Sequence, residues 1–234
     1  MSALKGLNIL DFSGLLPAPY GTRILADMGA NVLRVEAPTR PDMVRVMPPF
    51  DDQGLSAAHG SLNRNKNSIV VDLKTPEGVA IIKKLIETYD IIVEQFRPSV
   101  MARLGLGYED LKKINPRLIY CAVTGYGQQG AYKNRAGHDL NYLAIAGILD
   151  YTGRKTTGPM PLPIQAADIT GGLYAVTGIL AAVIHRQATD EGQFVDVSLT
   201  DAAFSLQALT APAALMANHQ PKPEPDTLNG GTFY

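Results

Sequence analysis

A chain of 234 residues that is 46% hydrophobic and 18% charged has enough apolar material for one large domain or two small ones. Its formal net charge of −1 leaves no global field to draw in nucleic acid or an acidic membrane surface, so neither is expected as a partner. The single cysteine, Cys121, excludes an internal disulfide; it sits in the apolar run LIYCAV, where a buried thiol in a reducing compartment is expected.

The opening MSALKGLNIL has neither the basic region nor the apolar core of a secretory leader. The most apolar stretch, Gly172 to Ile184, is short for a membrane span, and a cytoplasmic location is expected. Asn8 to Phe12 reads as a short buried strand, Tyr20 to Met28 as a helix and Asn31 to Glu36 as a second strand. A long loop follows, Ala37 to Asn67, rich in Pro, Asp, Arg and Asn; loops of that length usually cap a site. Ser68 to Leu73 is a third strand. Thr75-Pro76 then opens a helix to about Tyr89, Thr as cap and Pro in the first turn. Asp90 to Glu94 and Leu118 to Val123 are the next strands. After a Gly/Thr/Pro-rich loop, Thr152 to Pro163, comes an apolar helix, Ile169 to Arg186. Phe194 to Ser198 is a sixth strand and Leu199 to Met216 a last helix. Strands alternating with helices predict an α/β fold, an open parallel sheet covered on both faces. The expected division is a large domain over residues 1–198 and a helix with linker over 199–234. The polar, proline-rich end stops at GGTFY in an incipient strand, as if the chain were the front part of something longer.

Open α/β sheets bind ligands outside the carboxyl ends of their strands. Here those ends supply Arg34, Leu73, Lys74, Gln95, Phe96 and Arg97, cations beside apolar surface, which suits a phosphorylated nucleotide carrier. Each cation alone could equally be a solvated surface charge. The first turn lacks G-x-G-x-x-G and the chain lacks G-x-x-x-x-G-K-[ST], so no nicotinamide, flavin or P-loop chemistry is expected. The four histidines, His59, His138, His185 and His219, are scattered, and no metal is expected.

His138, in a polar loop entering a helix, is either a proton-transfer group or a residue packed at a helix start. Asp139 beside it suits an N-cap. Asp168 too could be an N-cap. Yet Gly171 and Gly172 follow within its helix, and each costs about 1 kcal/mol relative to Ala. That pattern predicts a close approach to the backbone, with bare helix amides able to hold a developing negative oxygen.

The segments SGLLPAPYGTRILADMGANVLRVE, LNRNKNSIVVDLKTPEG, IIVEQFRPSVMARLGLGYEDL, NPRLIYCAVTGYGQQG, AGHDLNYLAIAG and DITGG with GQFVDVSL behind it, in this order, resemble the family III CoA-transferase superfamily, which includes α-methylacyl-CoA racemase. The resemblance implies a Rossmann-like large domain binding coenzyme A, a second small domain lacking from this chain, and an interlocked homodimer. Asp168 matches the family's catalytic aspartate and His138 the racemase histidine working on the opposite face. Arg34, Leu73, Lys74, Gln95, Phe96, Arg103 and Leu104 match coenzyme A contacts. The implied reaction is racemisation at C2 of 2-methylacyl-CoA thioesters by two-base proton transfer, without metal. One alternative is transfer of coenzyme A between carboxylic acids through an aspartyl-CoA intermediate. Another is a non-catalytic fragment that binds coenzyme A. The racemase pattern's glutamate would fall past Tyr234.

Overall fold

A computed structural model describes residues 2–219. Six parallel strands, β1 (Asn8–Asp11), β2 (Asn31–Glu36), β3 (Lys66–Val70), β4 (Ile91–Glu94), β5 (Ile119–Thr124) and β6 (Phe194–Ser198), form one sheet in the order β3-β2-β1-β4-β5-β6. The chain winds outward from β1 in one direction and from β4 in the other. The connections therefore part between the carboxyl ends of β1 and β4, where such a sheet opens a crevice.

The helices are α1 (Pro17–Asp27), α2 (Ala57–Asn63), α3 (Pro76–Leu85), α4 (Val100–Arg103), α5 (Tyr108–Leu111), α6 (Asp139–Ile145), α7 (Ala166–Thr189), α8 (Leu199–Ser205) and α9 (Thr210–Ala217). The pleat sends alternate side chains to opposite faces. Ile9, Ile91, Val93, Ile119 and Cys121 form one buried cluster with residues of α1, α6, α7 and α8. Leu10, Ile92, Tyr120 and Ala122 form another with Ile82, Ile86, Met101 and Leu111. Both faces are covered, which is why β4 and β5 read as unbroken apolar runs.

The strands fall where the sequence places them, within one residue at either end, except β3. It runs over Lys66–Val70 and not Ser68 to Leu73, since its pairing with β2 extends from Val32↔Lys66 to Glu36↔Val70 and stops there. The expected loop of 37–67 holds a 3-10 turn, Met43–Val46, capped by Asp42, and helix α2, capped by Ser56. The expected helix over 199–216 is broken into α8 and α9. Pro212 lies in the first turn of α9, and in an unbroken helix it could not donate to residue 208. The expectation for the polar end beyond residue 219 lies outside the described residues.

Helix α7 spans 24 residues and, by length and composition, would suffice to cross a membrane, contrary to the length read from sequence. It is the central core helix: Ala175, Val176, Ile179, Ala182 and Val183 are buried against the sheet. Its glycines also have a structural explanation. A Cβ on Gly172 would lie 2.5 Å from the Pro17 carbonyl oxygen and 3.0 Å from the Tyr20 ring, so α1 and α7 touch backbone to backbone. A Cβ on Gly171 would instead meet the tip of the Leu199 side chain, which can swing away. The close approach expected at these glycines is made by α1 and α8.

Gly172→Ala is therefore expected to destabilise the fold by about 2 kcal/mol or more, despite the gain in helix propensity. Gly171→Ala should cost clearly less. Urea unfolding midpoints of the two variants check this, and equal midpoints would contradict it.

Candidate functional site

Two helix starts meet at the site. Helix α6 begins at Asp139, directly after His138, whose N–H donates to the Asn141 side-chain oxygen at 2.9 Å. Helix α7 begins at Ala166, so Asp168 is the third residue inside it, not the cap before Ile169 that the sequence suggests. Gln165 at the N-cap makes no side-chain capping bond. The Asp168 N–H instead donates across to the carboxylate of Asp139 at 3.0 Å. A carboxylate at a helix N-terminus is favoured by its unpaired amides and by the helix dipole. Asp139 thus caps the neighbouring helix, and this one bond sets the residue next to His138 against the first turn of α7, which carries Asp168.

The side chain of His138 is exposed, whereas Asp168 is half-buried. Burial first, and then the charge of Asp139, push the Asp168 carboxyl up to about 7. Desolvation and a like charge both disfavour ionisation. Two of the amides expected to be bare beside Asp168 are taken: its own N–H is held by Asp139, and that of Ala166 donates to the Ile164 carbonyl at 3.1 Å.

Tyr142 of α6 backs this corner. Its ring is buried and its hydroxyl donates to the Gly137 carbonyl at 2.6 Å, fixing the backbone just before His138. A Cβ on Gly137 would come within 2.7 Å of the Tyr142 ring and the Tyr126 hydroxyl, so only glycine fits there. Burial first, then Asp168, push the Tyr142 hydroxyl up to about 12.

The residues matched to coenzyme A contacts divide. Lys74 and Arg103 are exposed, while Leu73, Phe96 and Leu104 lie half-buried against the second core cluster. These five fit a ligand with charged phosphates and apolar parts. Gln95 turns inward, its side-chain oxygen accepting from the Ala18 N–H at 3.2 Å near the start of α1. Arg34 is not the available cation expected. It is 3% exposed, pairs with Asp42 at 2.5 Å and lies 3.2 Å from the His59 Nε2. Asp42 also accepts from the N–H groups of Leu15 and Val44, each at 3.1 Å, so Arg34 anchors the long loop over the first turn.

Behind that turn, Lys66 donates to Asp11 at 3.2 Å, Thr22 at 2.8 Å and the Pro19 carbonyl at 3.0 Å. Burial pushes the Asp11 carboxyl up, but Lys66 and the hydroxyls of Ser13 and Thr22 outweigh it and hold it below the usual range. Cys121 is buried, as its apolar run implies, and burial keeps its thiol protonated. Among the described residues no group of three or more His, Cys, Asp or Glu side chains is placed to hold a metal.

The sequence pattern of CoA-transferase family III matches residues 4–234. The chain belongs to this family. The succinate–glutarate CoA-transferase of Agrobacterium fabrum is 42% identical over 204 residues, covering 85% of this chain and 51% of the relative. The human alpha-methylacyl-CoA racemase is 37% identical over 235 residues, 99% of this chain and 57% of the relative. A CAIB/BAIF family protein from Brucella suis superposes with a TM-score of 0.90 at 36% identity, over 95% of this chain and 60% of that one. The family III chain thus spans about half the length of the curated relatives it matches. Both transferases and a racemase are among them.

Asp139 was missed as a participant in the site because a helix-start acid next to a histidine reads as a local cap. Its true partner is 29 residues away. Tyr142 carried no signal beyond its place in the NY pair after His138.

The raised carboxyls have a consequence for stability. Asp168 and Glu94 rise from ordinary values of 3.8 and 4.5 to about 7, both through burial first. The folded chain binds these protons more tightly than the unfolded one, so their contribution is fullest at low pH and is lost as pH rises towards 7. Asp168→Asn should flatten, without abolishing, the fall in thermal midpoint between those values. A slope equal to that of the wild type would contradict the assignment.

Proposed function

We propose that the site racemises acyl-CoA thioesters at the carbon next to the carbonyl, by proton transfer between opposite faces. The observation that carries this reading is the bond between the helix start that follows His138 and the first turn of α7, where burial and Asp139 push the Asp168 carboxyl up to about 7. A group with that affinity for protons populates both forms near neutrality, which is what a donor and acceptor of protons needs. One of the two residues removes the α-proton, leaving an enolate. The other delivers a proton to the opposite face, and the two end with their protonation states exchanged. Inversion requires opposite approach, so in this reading His138 and Asp168 face the α-carbon from opposite sides.

Coenzyme A is the substrate carrier in this reading. Lys74 and Arg103 would meet its phosphates, and Leu73, Phe96 and Leu104 its apolar parts. The acyl chain would lie along Leu15, Leu16, Ile145 and Ile148.

A second reading is favoured by the relatives named as CoA-transferases, among them the Agrobacterium fabrum protein at 42% identity. There the Asp168 carboxylate attacks the thioester carbonyl and expels the thiolate, giving a mixed anhydride. The thiolate then attacks the aspartyl carbonyl and releases the first acid. An acceptor carboxylate takes the carrier by the reverse steps. His138 has no part in that sequence.

Incubation with an (R)-2-methylacyl-CoA in deuterated water separates the two. Racemisation predicts α-deuterium and inverted product with no acceptor acid present. His138→Ala should slow wash-in by about 100-fold or more, the scale of a lost acid–base group. No wash-in by the wild type, with carrier exchange only when a second acid is added, would replace this reading with the transferase.

A further inference from the structure

Away from the Asp168 corner, on the opposite face of the sheet, a polar cluster has no part in the chemistry above. Glu94 closes β4 and is 5% exposed. Among the described residues its carboxyl accepts one hydrogen bond, from the Phe96 N–H at 2.7 Å. Glu94 stands in register with Ala122 of β5, and Ala122 with Asp196 of β6, so the three share one face with the small Ala122 between two acids. Thr124, two residues beyond Ala122, shares that face and is 6% exposed, yet among the described residues its hydroxyl has no partner. The Gln128 N–H donates to Asp196 at 3.0 Å, and among the described residues its buried side-chain nitrogen has no partner either.

Buried polar groups are almost always paired, and those left open in a folded protein call for an explanation. This cluster offers acceptors on Glu94 and Asp196, and donors on Thr124 and Gln128. An anion would be repelled by the two acids. A bare cation would leave the Gln128 donor unmatched. The complement is a neutral group that both donates and accepts, as a secondary amide does. The cluster lies at the carboxyl edge of the sheet, where ligands of such folds bind. It also directly precedes Gln95 and Phe96, and through Gly125 it joins the loop leading to His138.

We infer that Glu94, Thr124 and Gln128 form a subsite for an amide of the pantetheine arm of coenzyme A, the carboxylate accepting the amide N–H and Gln128 donating to the amide carbonyl. The inference rests on coenzyme A being the carrier, as proposed above. Burial, and to a lesser degree Asp196, push the Glu94 carboxyl up to about 7, as expected of an acceptor held without a neutralising cation. Lys74 and Arg103 would serve the phosphates, and this subsite would steer the arm between them and the reacting carbon.

The test compares coenzyme A with adenosine bisphosphate, which carries the nucleotide but no pantetheine arm, by calorimetry on the wild type, Glu94→Gln and Thr124→Val. Thermal midpoints are recorded alongside. Each variant is expected to bind coenzyme A about tenfold more weakly and adenosine bisphosphate as the wild type does, the scale of one hydrogen bond to a charged or buried group. Wild-type affinity for both ligands in both variants would make the cluster an internal structural one and overturn the inference. Equal weakening of both ligands would do the same, since the effect would then lie in the fold of the site. Binding of neither ligand by the wild type would remove the coenzyme A reading itself, and the subsite with it.

Discussion

The site depends on one hydrogen bond between two helix starts, from the Asp168 N–H to the Asp139 carboxylate. Its geometry satisfies an amide that α7 would otherwise leave open, and it holds α6 against α7. Its electrostatics act in the other direction. A second carboxylate beside Asp168, in a half-buried corner, makes ionisation of Asp168 harder. The same contact that builds the corner also tunes the group within it.

That contact rests on closely packed elements behind it. Helix α7 is set against α1 through Gly172, where no side chain intervenes. Helix α1 is fixed in turn by the buried Lys66, which grips Asp11, Thr22 and the Pro19 carbonyl. An ion pair this buried adds little net stability, but breaking one side of it leaves an uncompensated charge. Its role here is positional: it holds the first turn, and Arg34 with Asp42 holds the long loop over that turn. The cations read from the sequence as ligand groups thus separate into two kinds. Arg34 braces the scaffold, whereas Lys74 and Arg103 face solvent.

The sheet was legible because its strands are buried on both faces and so appear as short apolar runs punctuated by helices. His138 and Asp168 stood out by residue type and motif, and the structure places each at a helix start, joined through Asp139. What sequence could not supply was long-range pairing. Asp139 looked like a cap for its own helix and instead caps α7. The glycines after Asp168 signalled a close approach to the backbone, but not that α1 and α8 make it. Pro212 was there to be read as a break in the last helix, and a continuous apolar pattern outweighed it. Glu94 sat in a strand pattern as its terminal charge, with nothing local to say that it is buried.

The account turns on Asp168 holding its proton near neutrality, and a carboxyl-carbon NMR titration of that residue measures it directly. The predicted midpoint is about 7 in the wild type, moving down in Asp139→Asn, which keeps an oxygen to accept the Asp168 N–H but removes the charge. A midpoint in the ordinary aspartate range, unmoved by that substitution, would contradict the account.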